Sequence, residues 1–385
     1  MIKQIAILGN HIQSLGICRI VGRLGYPVIL YNSYKQSITR YSKYCSEFVL
    51  FSNHDDLLVK LGARESLDKT TLLIPTNDSL VDFIRDNYEF LNSRYFLSVA
   101  SPDIIDFCSN KKNTYLKARE LGIDIPKSYF PNNQEELLTF ADELVYPVIL
   151  KPAIMFTFFH STGKKALKCN NHQELIDNYA LMQKYIPANE TIVQEVLRGG
   201  AKNLFSYGSF FANKISYANF VVNRIRQKPM DFGISTSFAK TVINQQIQVS
   251  AEKFLEGINY FGISEVEFMY DTEQQKYKLL EINPRSWKWH SIANRLDINI
   301  FQLLIDYIEN KQLTIHINDK ENIAWIERLT DTYVSISEIA KGHLSLKEYL
   351  ATLRLKKESA CLSIDDPLPA LMYILLAPYL FYKRS

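Results

Sequence analysis

Two short runs constrain this chain more than any other feature: Glu265-Val266-Glu267-Phe268-Met269-Tyr270, and Leu279-Leu280-Glu281-Ile282-Asn283-Pro284-Arg285 after a turn near Asp271 to Gln275. Their spacing is that of a two-stranded antiparallel ribbon. Strand alternation sets Glu281 and Asn283 on one face, and the offset 281 − 267 = 14 lets Glu267 face them. Two carboxylates and an amide oxygen form an oxygen-only donor set that suits Mg2+, with Mn2+ as a substitute, and such an ion shares its remaining positions with water and phosphate. A lone Glu on a hairpin is usually just solvated. Here the charges interrupt an apolar strand, where unpaired they are costly, and Pro284-Arg285 ends it with a cation suited to a phosphate or acyl phosphate. The pattern implies ATP.

The 385 residues provide for two or three domains. With a net charge of +3 and interspersed signs, no nucleic-acid partner is indicated. Five scattered Cys residues without Cys-x-x-Cys read as reduced thiols of a cytoplasmic protein. The amino terminus reads as a strand instead of a secretion signal, and no run reaches the roughly 20 apolar residues that span a bilayer.

Ile5 to Gly9, a helical pattern over Ser14 to Leu24 and Val28 to Tyr31 form a βαβ opening. The turn lacks Gly-x-Gly-x-x-Gly and Asn32 replaces the acidic residue of a dinucleotide site. A strand at Thr71 to Pro75 leads into Thr76-Asn77-Asp78, where Asp78 is equally a helix cap or a substrate contact. A new region begins near Ser109 to Lys112, with helices to Leu121 and over Gln134 to Leu144, a strand Pro147 to Pro152, and a loop-like stretch Phe156 to Lys168. Beyond about Asn310 the pattern is helical. Its apolar end, 368–384, suits either a core helix or peripheral contact at the inner membrane face.

Lys151 emerges from an apolar strand, so an anion should meet it, and Lys111 opens a helix 40 residues earlier. Both default to surface lysines when taken alone. With the segment Ser161-Thr162-Gly163-Lys164-Lys165 and the metal set they describe a triphosphate clamp, though not a Walker loop. Gln194, Glu195 and Val196 end a strand whose edge can pair with adenine, or merely meet solvent. Arg224, Arg226 and Lys228 precede Pro229 and Gly233, and Arg226 is the better placed for bidentate contact with a carboxylate or phosphoryl group. His290 reads as packed in preference to substrate-bound.

In this order, Lys111, Lys151, Ser161 to Lys165, Gln194-Glu195-Val196, Glu267 and Glu281 to Arg285 resemble the ATP-grasp superfamily over about Met1 to Asn310. The resemblance implies an α/β and α+β chain: a Rossmann-like pre-ATP-grasp domain (1–108), an ATP-grasp domain (109–310, with a lid over 125–195 and a catalytic part over 196–310) and a helical extension (311–385). By the same resemblance Lys111 and Lys151 contact phosphates, Ser161, Thr162 and Gly163 cover them, Gln194, Glu195 and Val196 hold adenine, and Glu267, Glu281 and Asn283 bind Mg2+. Arg285 and Arg226 would then hold an acyl phosphate that an amine attacks. The segment Arg226 to Gly233 further resembles carbamoyl phosphate synthetase-like carboxylate-amine ligases, including D-aspartate ligases and surface-polysaccharide enzymes. That implies small-molecule acid and amine partners, such as an amino acid and a sugar-linked acid, and is compatible with a homodimer. The competing expectations are a non-catalytic ATP-binding regulator and an ATP-grasp phosphotransferase. Two departures stand out, a single glycine in the lid segment and Lys202-Asn203 where an acidic ribose contact would stand.

Overall fold

The computed structural model describes residues 1–64, 69–230, 233 and 235–377. Residues 378–384 of the expected membrane contact, and Asp231 and Phe232 of the basic segment, lie outside the described residues.

The first layer is a parallel sheet of β1 (Gln4–Leu8), β2 (Val28–Asn32), β3 (Cys45–Leu50), β4 (Thr71–Pro75) and β5 (Phe96–Leu97), in the order β3-β2-β1-β4-β5. The unbroken apolar runs of β1, β2 and β4 are buried throughout or nearly so, as a sheet covered on both faces requires. Helix His11–Arg23 starts at Asn10 and helix Asp78–Asp86 at Asn77, each capped by the asparagine side chain, so both helices begin at the carboxyl ends of strands. That edge of an open α/β sheet is where ligands sit.

The second layer is antiparallel: β6 (Ser128–Tyr129), β7 (Val148–Pro152), β8 (Leu167–Cys169) and β9 (Thr191–Glu195), in the order β6-β9-β7-β8. It has its own apolar cluster around Leu150, Phe158, Tyr179 and Val193. The stretch expected as a loop contains helix Met155–Thr162, ended by Gly163 in the left-handed conformation at φ 68°. Its aromatic-rich sequence buries Phe158 completely, and this contact outweighs the turn-like Ser161-Thr162-Gly163 ending.

The third layer is an eight-stranded sheet built on β10 (Leu204–Ala212), β11 (Ile215–Lys228), β12 (Ser235–Val242), β13 (Gly262–Asp271) and β14 (Lys276–Asn283). Three short strands, β15 (His316–Ile317), β16 (Ala324–Ile326) and β17 (Lys357–Ser359), extend it: β16 pairs with β12, β17 with β16, and β15 with β11. The carboxyl-terminal region is therefore not a purely helical extension. Its helix Arg328–Ala340 locks onto the sheet through Asp331, which accepts from Arg226 Nε at 2.8 Å and Ser237 Oγ at 3.0 Å.

The same region then returns to the first layer. Asp366 accepts from Arg19 Nε at 2.8 Å, Ser42 Oγ at 2.7 Å and the Lys43 N–H at 3.0 Å, in almost complete burial. Helix Leu368–Leu375 buries Pro369 and Tyr373 but exposes Leu368, Leu371, Ile374 and Leu375. Among the described residues no helix is long and apolar enough to cross a membrane. None of the five cysteines forms a disulfide.

Candidate active site

The β13–β14 hairpin pairs Glu267 with Glu281 and Glu265 with Asn283, so all four side chains share one face. Nearer the turn the register is Met269 to Lys278 and Asp271 to Lys276, offset by one residue at a bulge. The bulge absorbs Leu280, and this puts Lys278, three positions before Glu281, on the same face as the glutamates. The liberated Leu280 carbonyl accepts from Tyr115 Oη at 2.8 Å, and that hydroxyl also meets Lys151 Nζ at 2.6 Å. Lys151, which follows the buried residues of β7, is thus tied to the hairpin across the two sheets.

Four nitrogen donors gather on the carboxylates. Lys111 Nζ pairs with Glu281 Oε2, Arg224 Nη1 lies 2.7 Å from Glu267 and 4.0 Å from Glu265, Asn283 Nδ2 donates to Glu265 at 3.3 Å and Glu267 at 3.2 Å, and Trp289 Nε1 donates to Glu265 at 3.0 Å. The Lys111 ammonium holds Glu281 down at about 2. Burial, reinforced by Glu267, pushes Glu265 up to about 7. Acidic groups this crowded call for positive charge. Among the described residues no three His, Cys, Asp or Glu side chains form a closed metal cage. Two glutamates with an amide oxygen suit an ion that completes its shell from phosphate and water.

Arg285 leaves this face and crosses to the first layer, where it grips both carboxylate oxygens of Asp78, with Nη2 to Oδ2 at 3.1 Å. Between the two layers runs a cleft of about 670 Å³, whose lining includes Asp78, Arg224, Glu265, Glu267, Glu281 and Arg285.

The other expected residues fall in several places. Glu195 accepts from the Lys127 N–H at 2.8 Å and from Lys278 Nζ, which also pairs with Asp271 at 2.9 Å; Val196 is half-buried just after the strand. Gln194 turns inward to Ser128 Oγ at 2.8 Å, so its side chain serves the sheet. Thr162 Oγ1 donates to its own helix at the Phe158 carbonyl, 2.7 Å away, Ser161 is exposed and Gly163 caps the helix. Within that segment Lys165, with Phe159 before it, lines the cleft. Arg226 lies outside the site altogether: it is 2% exposed, bonded to Asp331 and Thr352, and stacked 4.3 Å from the Phe238 ring. A register break in β11 between Asn223 and Arg226 separates it from Arg224. Alternation alone would keep the two arginines together. His290 is buried against Gly16, bonds the Trp287 carbonyl, and is driven down to about 4 by burial.

Residues 110–303, half the chain, match the family described as carbamoyl-phosphate synthase L chain, ATP binding domain. The chain belongs to this family. The carboxyl-terminal section of the carbamoyl phosphate synthase large chain from Methanopyrus kandleri is 22% identical over 195 residues, 48% of this chain and 34% of that protein. The chain thus matches about a third of the length of this curated relative. Among solved structures, biotin carboxylase from Campylobacter jejuni superposes with a TM-score of 0.66 at 16% identity, covering 82% of this chain and 73% of that one. N5-carboxyaminoimidazole synthetase from Staphylococcus aureus gives 0.66 at 15%, covering 89% and 86%. L-amino acid ligase from Bacillus licheniformis gives 0.58 at 14%, covering 79% and 73%. These likenesses establish the ATP-grasp fold. Within this ATP-grasp chain, the sequence names Arg224 and Lys165 only as members of their segments and Glu265 only as part of its run, and it gives no sign of Tyr115. Glu265-Val266-Glu267 did carry a signal, since two acids at strand period inside an apolar run share a face.

Proposed function

We propose that this chain is an ATP-dependent ligase that joins a carboxylate to an amine through an acyl phosphate, releasing ADP and phosphate. The observation that carries the reading is the convergence of Lys111, Lys151, Glu267, Glu281 and Asn283 around one sheet face that opens on a cleft, which Arg285 crosses. Lys111 and Lys151 bind the nucleotide phosphates, while Glu195, Val196 and Lys278 meet the base. Glu267, Glu281 and Asn283, with Glu265 beside them, hold Mg2+, which when bound screens the triphosphate and polarises the transferring phosphoryl group. Lys165 is the cation that the segment after β7 brings over the cleft. Arg285 and Arg224 steady the acyl phosphate, the role expected of Arg226. Closure of the second layer keeps water from hydrolysing it.

The strand order of the first layer, with β1 central and a helix starting at its carboxyl end, supports a Rossmann-like reading of residues 1–108. The exposed leucines of helix Leu368–Leu375 favour peripheral lipid contact, which vesicle co-sedimentation would test.

The deciding experiment measures ADP and phosphate release from Mg-ATP across amino acids, sugar acids and amines, with Glu281→Gln beside the natural chain. Release that requires one acid and one amine, and that falls by about three orders of magnitude in the variant, is expected. Release that ignores the amine would make the chain a phosphotransferase, and tight binding without release would make it a regulator.

A further inference from the structure

The cleft has two unlike walls. The wall from the ATP-grasp sheet is crowded with charge: Arg224, Glu265, Glu267, Glu281, Arg285 and Lys288. The wall from the first layer, which includes Asn10, Asn32, Ser33, Tyr34 and His54, has one formally charged residue among its described lining, Asp78.

Asp78 has no local duty that explains it. Asn77 caps the helix, accepting from the Leu80 N–H at 3.0 Å, so Asp78 is not the cap. An acid in the first turn of a helix is mildly stabilising, and any acid there would do the same without reaching across a cleft. The Asp78 side chain is 70% exposed, and its ion-pair partner among the described residues is Arg285. When Arg285 turns to an acyl phosphate it must share or surrender that pairing, since its planar fork cannot grip two anions equally well. A carboxylate with several acceptor positions is then left facing the cleft.

We propose that Asp78 is where the amine substrate docks, as its ammonium, within reach of the carbonyl that Arg285 holds. This rests on the ligase reading above. The ammonium exchanges with Arg285 as the partner of Asp78 and gives up one proton through that carboxylate to water. The amine nitrogen then bonds to the acyl carbon, the bond from that carbon to the bridging oxygen breaks, and phosphate departs with the electron pair and takes the second proton from nitrogen. The neutral side chains around Asp78 suit an amine carried on an uncharged, hydrogen-bonding body, such as a hydroxylated amine. An amino acid would also need a cation for its own carboxylate, and this wall has none among its described lining residues.

The test uses the whole chain with the acid that supports turnover, comparing two nucleophiles: hydroxylamine, which is uncharged near neutral pH and traps acyl phosphate as hydroxamate, and a panel of ethanolamine, glucosamine, glycine and aspartate. For Asp78→Asn the ratio of amide to hydroxamate should fall at least tenfold, through a higher KM for the amine, with ethanolamine or glucosamine outperforming glycine and aspartate in the natural chain. Equal losses of amide and hydroxamate would mean that Asp78 merely positions Arg285, and would overturn the proposal. So would an unaltered amine KM, or a preference for glycine or aspartate. If the natural chain makes neither product with any acid, the ligase reading itself fails and the Asp78 assignment falls with it.

Discussion

The β13–β14 hairpin and the β11–β12 pair of the same sheet, with β10 between them, are both antiparallel, and both depart from strict alternation by a register break, with opposite results. In the hairpin the extra residue, Leu280, gathers side chains that alternation would have parted, bringing Lys278 onto the face of Glu281 and Asn283. In β11 the break parts side chains that alternation would have gathered, leaving Arg224 on the acidic cluster and sending Arg226 to Asp331. A bulge is thus a sorting device, and its position decides which charges gather on the acidic face and which hold the fold.

Three substitutions test this contrast. The largest effect is expected for Arg226→Ala, which strands the fully buried Asp331 and should cost roughly 3–5 kcal/mol in urea unfolding; a loss confined to turnover would return Arg226 to the site. Arg224→Ala should instead lower turnover by about a hundredfold. With its cation gone, the Glu265–Glu267 pair should bind Mg2+ more tightly in calorimetry without nucleotide. Weaker Mg2+ binding would show that Arg224 shapes the acidic site instead of competing for it. The smallest effect belongs to Tyr115→Phe, which removes the hydroxyl shared by Lys151 and the Leu280 carbonyl and should weaken ATP by about tenfold. Unaltered affinity would make that link a bystander.

Features set by periodicity were largely legible in the chain. The strands at Thr71 to Pro75 and Pro147 to Pro152 agree with the structure to within a residue, because apolar runs bounded by turn residues mark buried strands. The pairing of Glu267 with Glu281 was readable from spacing alone. The bulges were not, since nothing local distinguishes Leu280 or Ile225 from a residue in register, and the break is decided by what lies across the sheet. Strands β16 and β17 are three residues each and exist through pairing with β12 and with each other, so their own sequence has too little pattern to declare them. Helix Met155–Thr162 was hidden for the opposite reason, since the Ser-Thr-Gly run at its end is turn chemistry that here terminates a helix.

The return of the carboxyl-terminal region to the first layer has a mechanical consequence. Asp366 fastens to Arg19 and Ser42, while Tyr373, a few residues on, bonds Glu327, which also holds Lys288 at 2.7 Å on the opposite wall. One short length of chain therefore stitches both banks of the cleft to each other. The gap between those banks is set before any substrate arrives. In the proposed reaction the part that closes is the small four-stranded sheet, as in a bench vice: one fixed bed, already gauged to its workpiece, and a single travelling jaw.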